Sequence, residues 1–252
     1  MRWSAPATAL GAFAAALIAL APATLIDARL ERASGGRLRL AGAEGSVWSG
    51  AGWIEIRDAH GTAGVAKRLK WRVLPTSLLL GRLMAEIELD QAARPFPVTI
   101  SLSRVEIADA GVNLPAAALG LGMPRLAPLR LTGDLLVKVS RLSFERGGID
   151  GDATLQWRAA GSALTPVSPL GDYEVQFKAA GPSVRAALRT LEGPLQLDGD
   201  GTWSNGGPPS YVVSARVPAQ HQEQLAPLLR LIAVERGAGS FELSSSRTAF
   251  EP

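Results

Sequence analysis

A short phrase that recurs along the second half of the chain constrains its fold more than any other feature. It reads Gly133-Asp134-Leu135-Leu136-Val137-Lys138-Val139, then Gly151-Asp152-Ala153-Thr154-Leu155-Gln156-Trp157, then Gly171-Asp172-Tyr173-Glu174-Val175-Gln176-Phe177. Looser copies begin at Gly193 and Gly239. Successive side chains of a strand point to opposite faces. Leu135, Val137, Val139, Ala153, Leu155, Trp157, Tyr173, Val175 and Phe177 therefore share one face, and Lys138, Thr154, Gln156, Glu174 and Gln176 share the other. A slip of one residue would turn every side chain over, so the register is strongly specified. The first four copies start 18, 20 and 22 residues apart. That period fits strand, turn, return strand and turn, the unit of an antiparallel meander. Each Gly-Asp is expected to supply turn chemistry at a strand entrance, because Gly tolerates φ > 0 and Asp bonds nearby backbone.

The same alternation runs through Trp53-Ile54-Glu55-Ile56-Arg57, Ile87-Glu88-Leu89 and Val98-Thr99-Ile100-Ser101-Leu102. Helices are predicted only over residues 75–83, 184–191 and 222–234, the last starting near Pro227 because proline is disfavoured inside a helix. Residues 206–209, Gly-Gly-Pro-Pro, read as a loop. Residues 110–128, with three prolines and few charges, mark the expected boundary between halves 28–125 and 126–252. Trp71 and Trp157 sit in matching Leu-x-Trp-Arg contexts, which suggests two related halves with a large aromatic plugging each sheet. The predicted fold class is all-β, an antiparallel meander forming a curved sheet or a sandwich, with a few short helices.

The N-terminus reads as a membrane segment. Residues 5–26 carry no charge, with Arg2 ahead and Asp27, Arg29 and Glu31 behind. About 20 apolar residues cross a hydrocarbon core of ~30 Å, so a transmembrane helix over residues 1–27 is expected, followed by a domain over 28–252. Ala21-Pro22-Ala23 also has the small-residue spacing of a signal-peptide cleavage site. Arg29, Arg32, Arg37 and Arg39 after the span favour a cytoplasmic domain by the positive-inside rule. A short basic start, an apolar run and a long following domain instead have the layout of an exported chain, and this is the orientation adopted.

Chemistry-bearing patterns are missing from the sequence. There is no cysteine, so disulfides, thiolate metal sites and cysteine nucleophiles are excluded. The net charge of +3 comes from basic residues scattered singly, unlike the clustered footprint of a nucleic-acid binder. No phosphate-cradling loop, His-Glu-x-x-His or nucleophile elbow occurs. Asp198-Gly199-Asp200-Gly201-Thr202 resembles the start of a calcium loop, but Trp203 stands where the sharp-turn glycine belongs and Pro209 where the bidentate glutamate belongs. A hairpin turn is the expectation there. His60 reads as a turn residue and His221 as a polar residue ahead of a helix. No catalytic, cofactor-binding or metal-ligating residue is assigned. The apolar face carrying Leu135, Val137, Leu155, Trp157, Val175 and Phe177 has two readings, a closed core or an open groove for a partner strand or acyl chains.

Several patterns in order resemble the type II secretion system protein N family. They are Gly45-Ser46-Val47-Trp48-Ser49-Gly50, then Leu69-Lys70-Trp71-Arg72-Val73-Leu74-Pro75 followed by leucines ending Gly81-Arg82-Leu83, and then Leu114-Pro115-Ala116-Ala117-Ala118-Leu119. Gly151 to Trp157, Ser168-Pro169-Leu170-Gly171-Asp172-Tyr173 and the helical 225–231 leading to Gly239-Ser240-Phe241-Glu242-Leu243 complete the series. The resemblance spans residues 10–243. It implies a single-pass protein of the bacterial inner membrane with its bulk in the periplasm, working with other type II secretion subunits in export of folded proteins across the outer membrane. A lipid-binding or lipid-transfer module is the alternative, because a meander with one apolar face can hold acyl chains.

Overall fold

The computed structural model describes residues 16–17, 19–57, 64–90, 92, 94–204, 207–237 and 239–245. The chain divides into two compact units, residues 1–90 and 91–252.

The first unit holds helix α1 (Thr24–Ala33) and strands β1 (Leu38–Gly45), β2 (Ser49–Arg57), β3 (Gly64–Leu74) and β4 (Leu83–Leu89), with a 3₁₀ turn at Pro75–Leu80. The strands pair antiparallel in chain order. Ala23, Leu40, Trp71, Val73 and Ala85 form its core, and Ile26 and Leu30 of α1 pack against them. The Trp71 indole N–H donates to the Ser46 carbonyl at 3.2 Å. A Cβ on Gly50 would lie 2.4 Å from the Trp71 ring, which explains the glycine that closes Gly-Ser-Val-Trp-Ser-Gly. Edge strand β1 turns Leu38 and Leu40 N–H away from β2. These are taken by Ser34 Oγ at 2.9 Å and Asp27 Oδ1 at 2.8 Å, both from the α1 region. The exposed ladder is thereby blunted against further strand pairing.

The N-terminal segment enters this unit earlier than its apolar run predicts. Pro22 bridges Ser46, Ala23 N–H donates to the Gly45 carbonyl at 3.2 Å, and Val47 N–H donates to the Ala21 carbonyl at 2.9 Å. Residues 21–26 therefore belong to the folded unit, although the expected span ran to residue 27. Among the described residues no helix is long and apolar enough to cross a membrane. Residues 1–15 of the expected span lie outside the described residues.

The second unit contains β5 (Phe96–Ile100), β6 (Arg104–Pro115), α2 (Leu119–Gly122), β7 (Leu131–Glu145), β8 (Gly148–Ser162), β9 (Gly171–Ala180), β10 (Ser183–Glu192), β11 (Gln196–Ser204), β12 (Ser210–Arg216), α3 (Ala219–Arg230), β13 (Val234–Gly237) and β14 (Ser240–Ser244). Strands β5 to β12 neighbour one another in chain order, followed by β14 and then β13. The all-β antiparallel meander with few short helices is as predicted, its strands joined in one continuous hydrogen-bonded sheet. Pairing of β6 with β7 runs across residues 125/126, where a boundary was expected, and the division between units falls at Asp90 instead.

Other expectations change as well. Residues 184–191 form β10, not a helix: Val184, Ala186 and Leu188 alternate with Arg185, Ala187 and Arg189, a period-2 pattern that pairs on both sides. Helix α3 starts at Ala219, after Pro218 in extended conformation, and continues through Pro227. Burial of Leu225, Ala226, Leu228 and Leu229 holds it despite the proline. His221 is thus in its first turn; His60 lies outside the described residues. The supposed turn at Asp198–Thr202 is the middle of β11, where Gly199 and Gly201 make room for Val213 and for Trp203 and Tyr211. The Gly-Asp pairs are mostly not turns. Gly133 lies at a β-bulge inside β7, Gly151 pairs in regular register with Leu142 and Ala179 inside β8, and only Gly171 opens its strand. Each of the first two repeats is one long strand rather than a strand and its return.

Candidate functional site

The register of β7, β8 and β9 brings the predicted face together. Leu135 lies opposite Trp157 and Trp157 opposite Tyr173; Val137, Leu155 and Val175 form the next row; Val139, Ala153 and Phe177 form a third. The middle row exists because Val137, Leu155 and Val175 each stand four residues after their glycine, so antiparallel copies meet at their centres. The rows extend beyond the repeat. Val112 pairs with Val137, Leu188 with Val175, and Ala186 with Phe177. Sequence reading missed Leu188 because its segment had been given to a helix.

Burial differs along the face. Leu135 and Tyr173 are each 2% exposed, whereas Val137, Leu155, Trp157, Val175 and Phe177 are half-buried. Elsewhere in this unit Leu225, Leu228 and Leu229 of α3 pack with Leu170, Leu195, Ala215 and Phe241. Trp157 and Tyr173 rings lie 5.9 Å apart, tilted by 55°. The Trp157 indole donates to the Thr132 carbonyl at 3.0 Å and the Tyr173 hydroxyl to the Leu195 carbonyl at 2.9 Å. Burial, with a smaller contribution from Asp172, pushes the Tyr173 hydroxyl well above its ordinary pKa, so it stays a proton donor. Val137, Leu155 and Val175 of the second row and Val139, Ala153 and Phe177 of the third are half-buried, which leaves apolar side chains partly in water.

The opposite face holds a feature the alternation concealed. Glu174, expected to point to solvent, is only 7% exposed. Its carboxylate accepts from Gln156 Nε2 at 2.9 Å, Gln176 Nε2 at 2.9 Å, and Arg189 Nε and Nη2 at 3.1 and 2.6 Å. Hydrogen bonds from Gln156, then Gln176 and Arg189, lower its pKa from 4.5 to about 2. With its acceptor positions engaged, this carboxylate ties β8, β9 and β10 together and has no poise for proton transfer. The signal for it was the chance to read residues across strands: Gln156, Glu174, Arg189 and Asp198 form one transverse row. Among the described residues no group of three or more His, Cys, Asp or Glu side chains could hold a metal ion.

These features define a β-meander whose polar face is knitted by charge and whose apolar face is buried at Leu135 and Tyr173 and half-open beyond. The model of the family described as type II secretion system (T2SS), protein N matches residues 36–244, and the chain belongs to that family. No curated protein and no solved structure matches the chain. The family is a component of secretion machinery, which ties the chain to protein transport in the cell envelope.

Proposed function

We propose that this chain is an accessory, structural subunit of the type II secretion apparatus. It is held in the inner membrane by its N-terminal segment with both β-units in the periplasm, and it supports export of folded proteins without turnover chemistry of its own. The half-open apolar rows carry this reading. Val137, Leu155, Val175 and Phe177 offer a ready surface for another secretion subunit, whereas the polar groups with depressed or raised pKa values are already committed to structural hydrogen bonds. Burying apolar area on a partner releases roughly 25 cal/mol per Å², so even partial cover of these rows drives association.

The same rows favour a second reading, a lipid-binding or lipid-transfer module that shelters acyl chains. Isolation of the full chain in mild detergent, with quantitation of co-purifying proteins and phospholipids, separates the two. Recovery of other secretion subunits that is lost on Val175→Asp supports the structural reading. Stoichiometric phospholipid lost on the same substitution, with no subunit recovered, overturns it in favour of the lipid reading.

A further inference from the structure

The first unit exposes a leucine cluster that its own fold does not use. In the 3₁₀ turn between β3 and β4, Leu78, Leu79 and Leu80 are 45%, 89% and 69% exposed. The turn is not loose. Ser77, 5% exposed, donates from Oγ to the Leu74 carbonyl at 2.6 Å and accepts from Met84 N–H at 2.9 Å. Gly81 closes the turn with a φ of +69°, its N–H donating to the Leu78 carbonyl at 3.0 Å. A buried serine and a left-handed glycine thus fix consecutive leucines pointing into solvent, an arrangement that costs free energy in water unless something apolar receives them.

The register shows what lies beside them. Arg72 pairs with Ser49 and Leu74 with Met84, so the turn sits at the end of the unit that carries the β1–β2 connection. Val73 N–H donates to the Trp48 carbonyl in that connection at 2.6 Å. The N-terminal segment enters at the same end, where Pro22 bridges Ser46, and before it Leu17 and Leu20 are 58% and 79% exposed. Residues 20–26, 46–49 and 74–82 contain no carboxylate, while Arg72 and Arg82 flank the leucines. Apolar side chains bordered by arginine and free of acid suit the interface of an anionic bilayer, where arginine stems lie along the apolar layer and their heads stay in the headgroups.

We propose that the Pro75–Leu80 turn is a second membrane contact: Leu79 and Leu80 dip into the bilayer that the N-terminal segment crosses and fix the first unit against the membrane surface. This rests on the reading of the N-terminal segment as a retained anchor. The chain has no cysteine, so Leu79→Cys and Leu80→Cys each give one attachment point for a bimane fluorophore in the full-length protein. Ala66→Cys, exposed on the same strand β3 and roughly 26 Å from Leu74 at ~3.3 Å per residue, is the reference. The labelled chains are reconstituted in phosphatidylethanolamine–phosphatidylglycerol vesicles with or without brominated acyl chains, then floated. Positions 79 and 80 are expected to lose most of their emission with brominated lipid while position 66 keeps its own. Chains that float with positions 79 and 80 as unquenched as 66 overturn the membrane contact and leave the anchor standing, as they would if a protein covered the leucines. Chains that fail to float overturn both.

Discussion

Glu174 accepts from Gln156, Gln176 and Arg189, and these bonds hold its pKa down to about 2. A carboxylate bound more tightly in the folded state than in the unfolded chain adds stability above its unfolded pKa, and that stability fades as pH falls through the folded value. The window is therefore from pH 4.5 down to about 2. Urea midpoints of the wild type are expected to fall across this range, and Glu174→Gln should remove that part of the fall; an unchanged acid slope in the variant would place the titrating group elsewhere. Burial along the apolar face orders a second series. Leu135→Ala, at a site 2% exposed, should cost about 2–5 kcal/mol. Leu155→Ala, half-buried, should cost clearly less, and exposed Lys138→Ala under ~0.5 kcal/mol. Thermal melts check the order, and equal losses at Leu135 and Leu155 would mean that the middle row is closed. The apolar residues that alternation named in β7–β9 do meet in common rows. Alternation could not show that Glu174 is buried or that Gln156 is tied, because those depend on neighbours a strand away.

At the scale of elements, the strands were legible wherever apolar and polar residues alternate. The errors came from patterns that fit two periods. Residues 184–191 mix Ala, Leu and Arg, good helix formers, and only pairing with β9 and β11 makes them a strand. The Gly-Asp phrase looked like turn chemistry, yet Gly151 sits inside β8 with φ +129°, where an added Cβ would fall 2.0 Å from the Arg141 carbonyl oxygen. This close strand approach needs glycine for space and for backbone conformation together, and no local sequence rule distinguishes that from a turn. Gly151→Ala is expected to destabilise by more than ~1 kcal/mol, whereas Gly147→Ala, in open space in the β7–β8 turn, should stay within about 1 kcal/mol of wild type. Chemical denaturation of both separates them, and a neutral Gly151→Ala would refute the need for glycine in this close approach. The apolar face was legible in the same uneven way. Its Leu135, Val137, Leu155, Trp157, Val175 and Phe177 members follow from period 2, but the separate core that α3 builds depends on a helix running through Pro227.

For the whole molecule, the proposed function rests on the N-terminal segment and the apolar face. Residues 21–23 supply partners to Gly45 and Val47, and Ala23 is 1% exposed. Cleavage after Ala23 would strip these bonds from the first unit, so the segment is expected to stay attached: Met1 remains in the mature protein, and the chain remains with membranes through an alkaline wash. A mature N-terminus at Thr24, or release into the soluble fraction, contradicts this. The central claim, that the half-open apolar rows receive another secretion subunit, is tested most directly in cells. A photo-crosslinking amino acid is placed at Val137, Leu155 or Val175 on the apolar face, and at Lys138 or Thr154 on the opposite face of the same strands. Adducts with a secretion subunit are expected from the first set and not from the second. Adducts with lipid alone from the first set, or subunit adducts that arise only from Lys138 and Thr154, would contradict it.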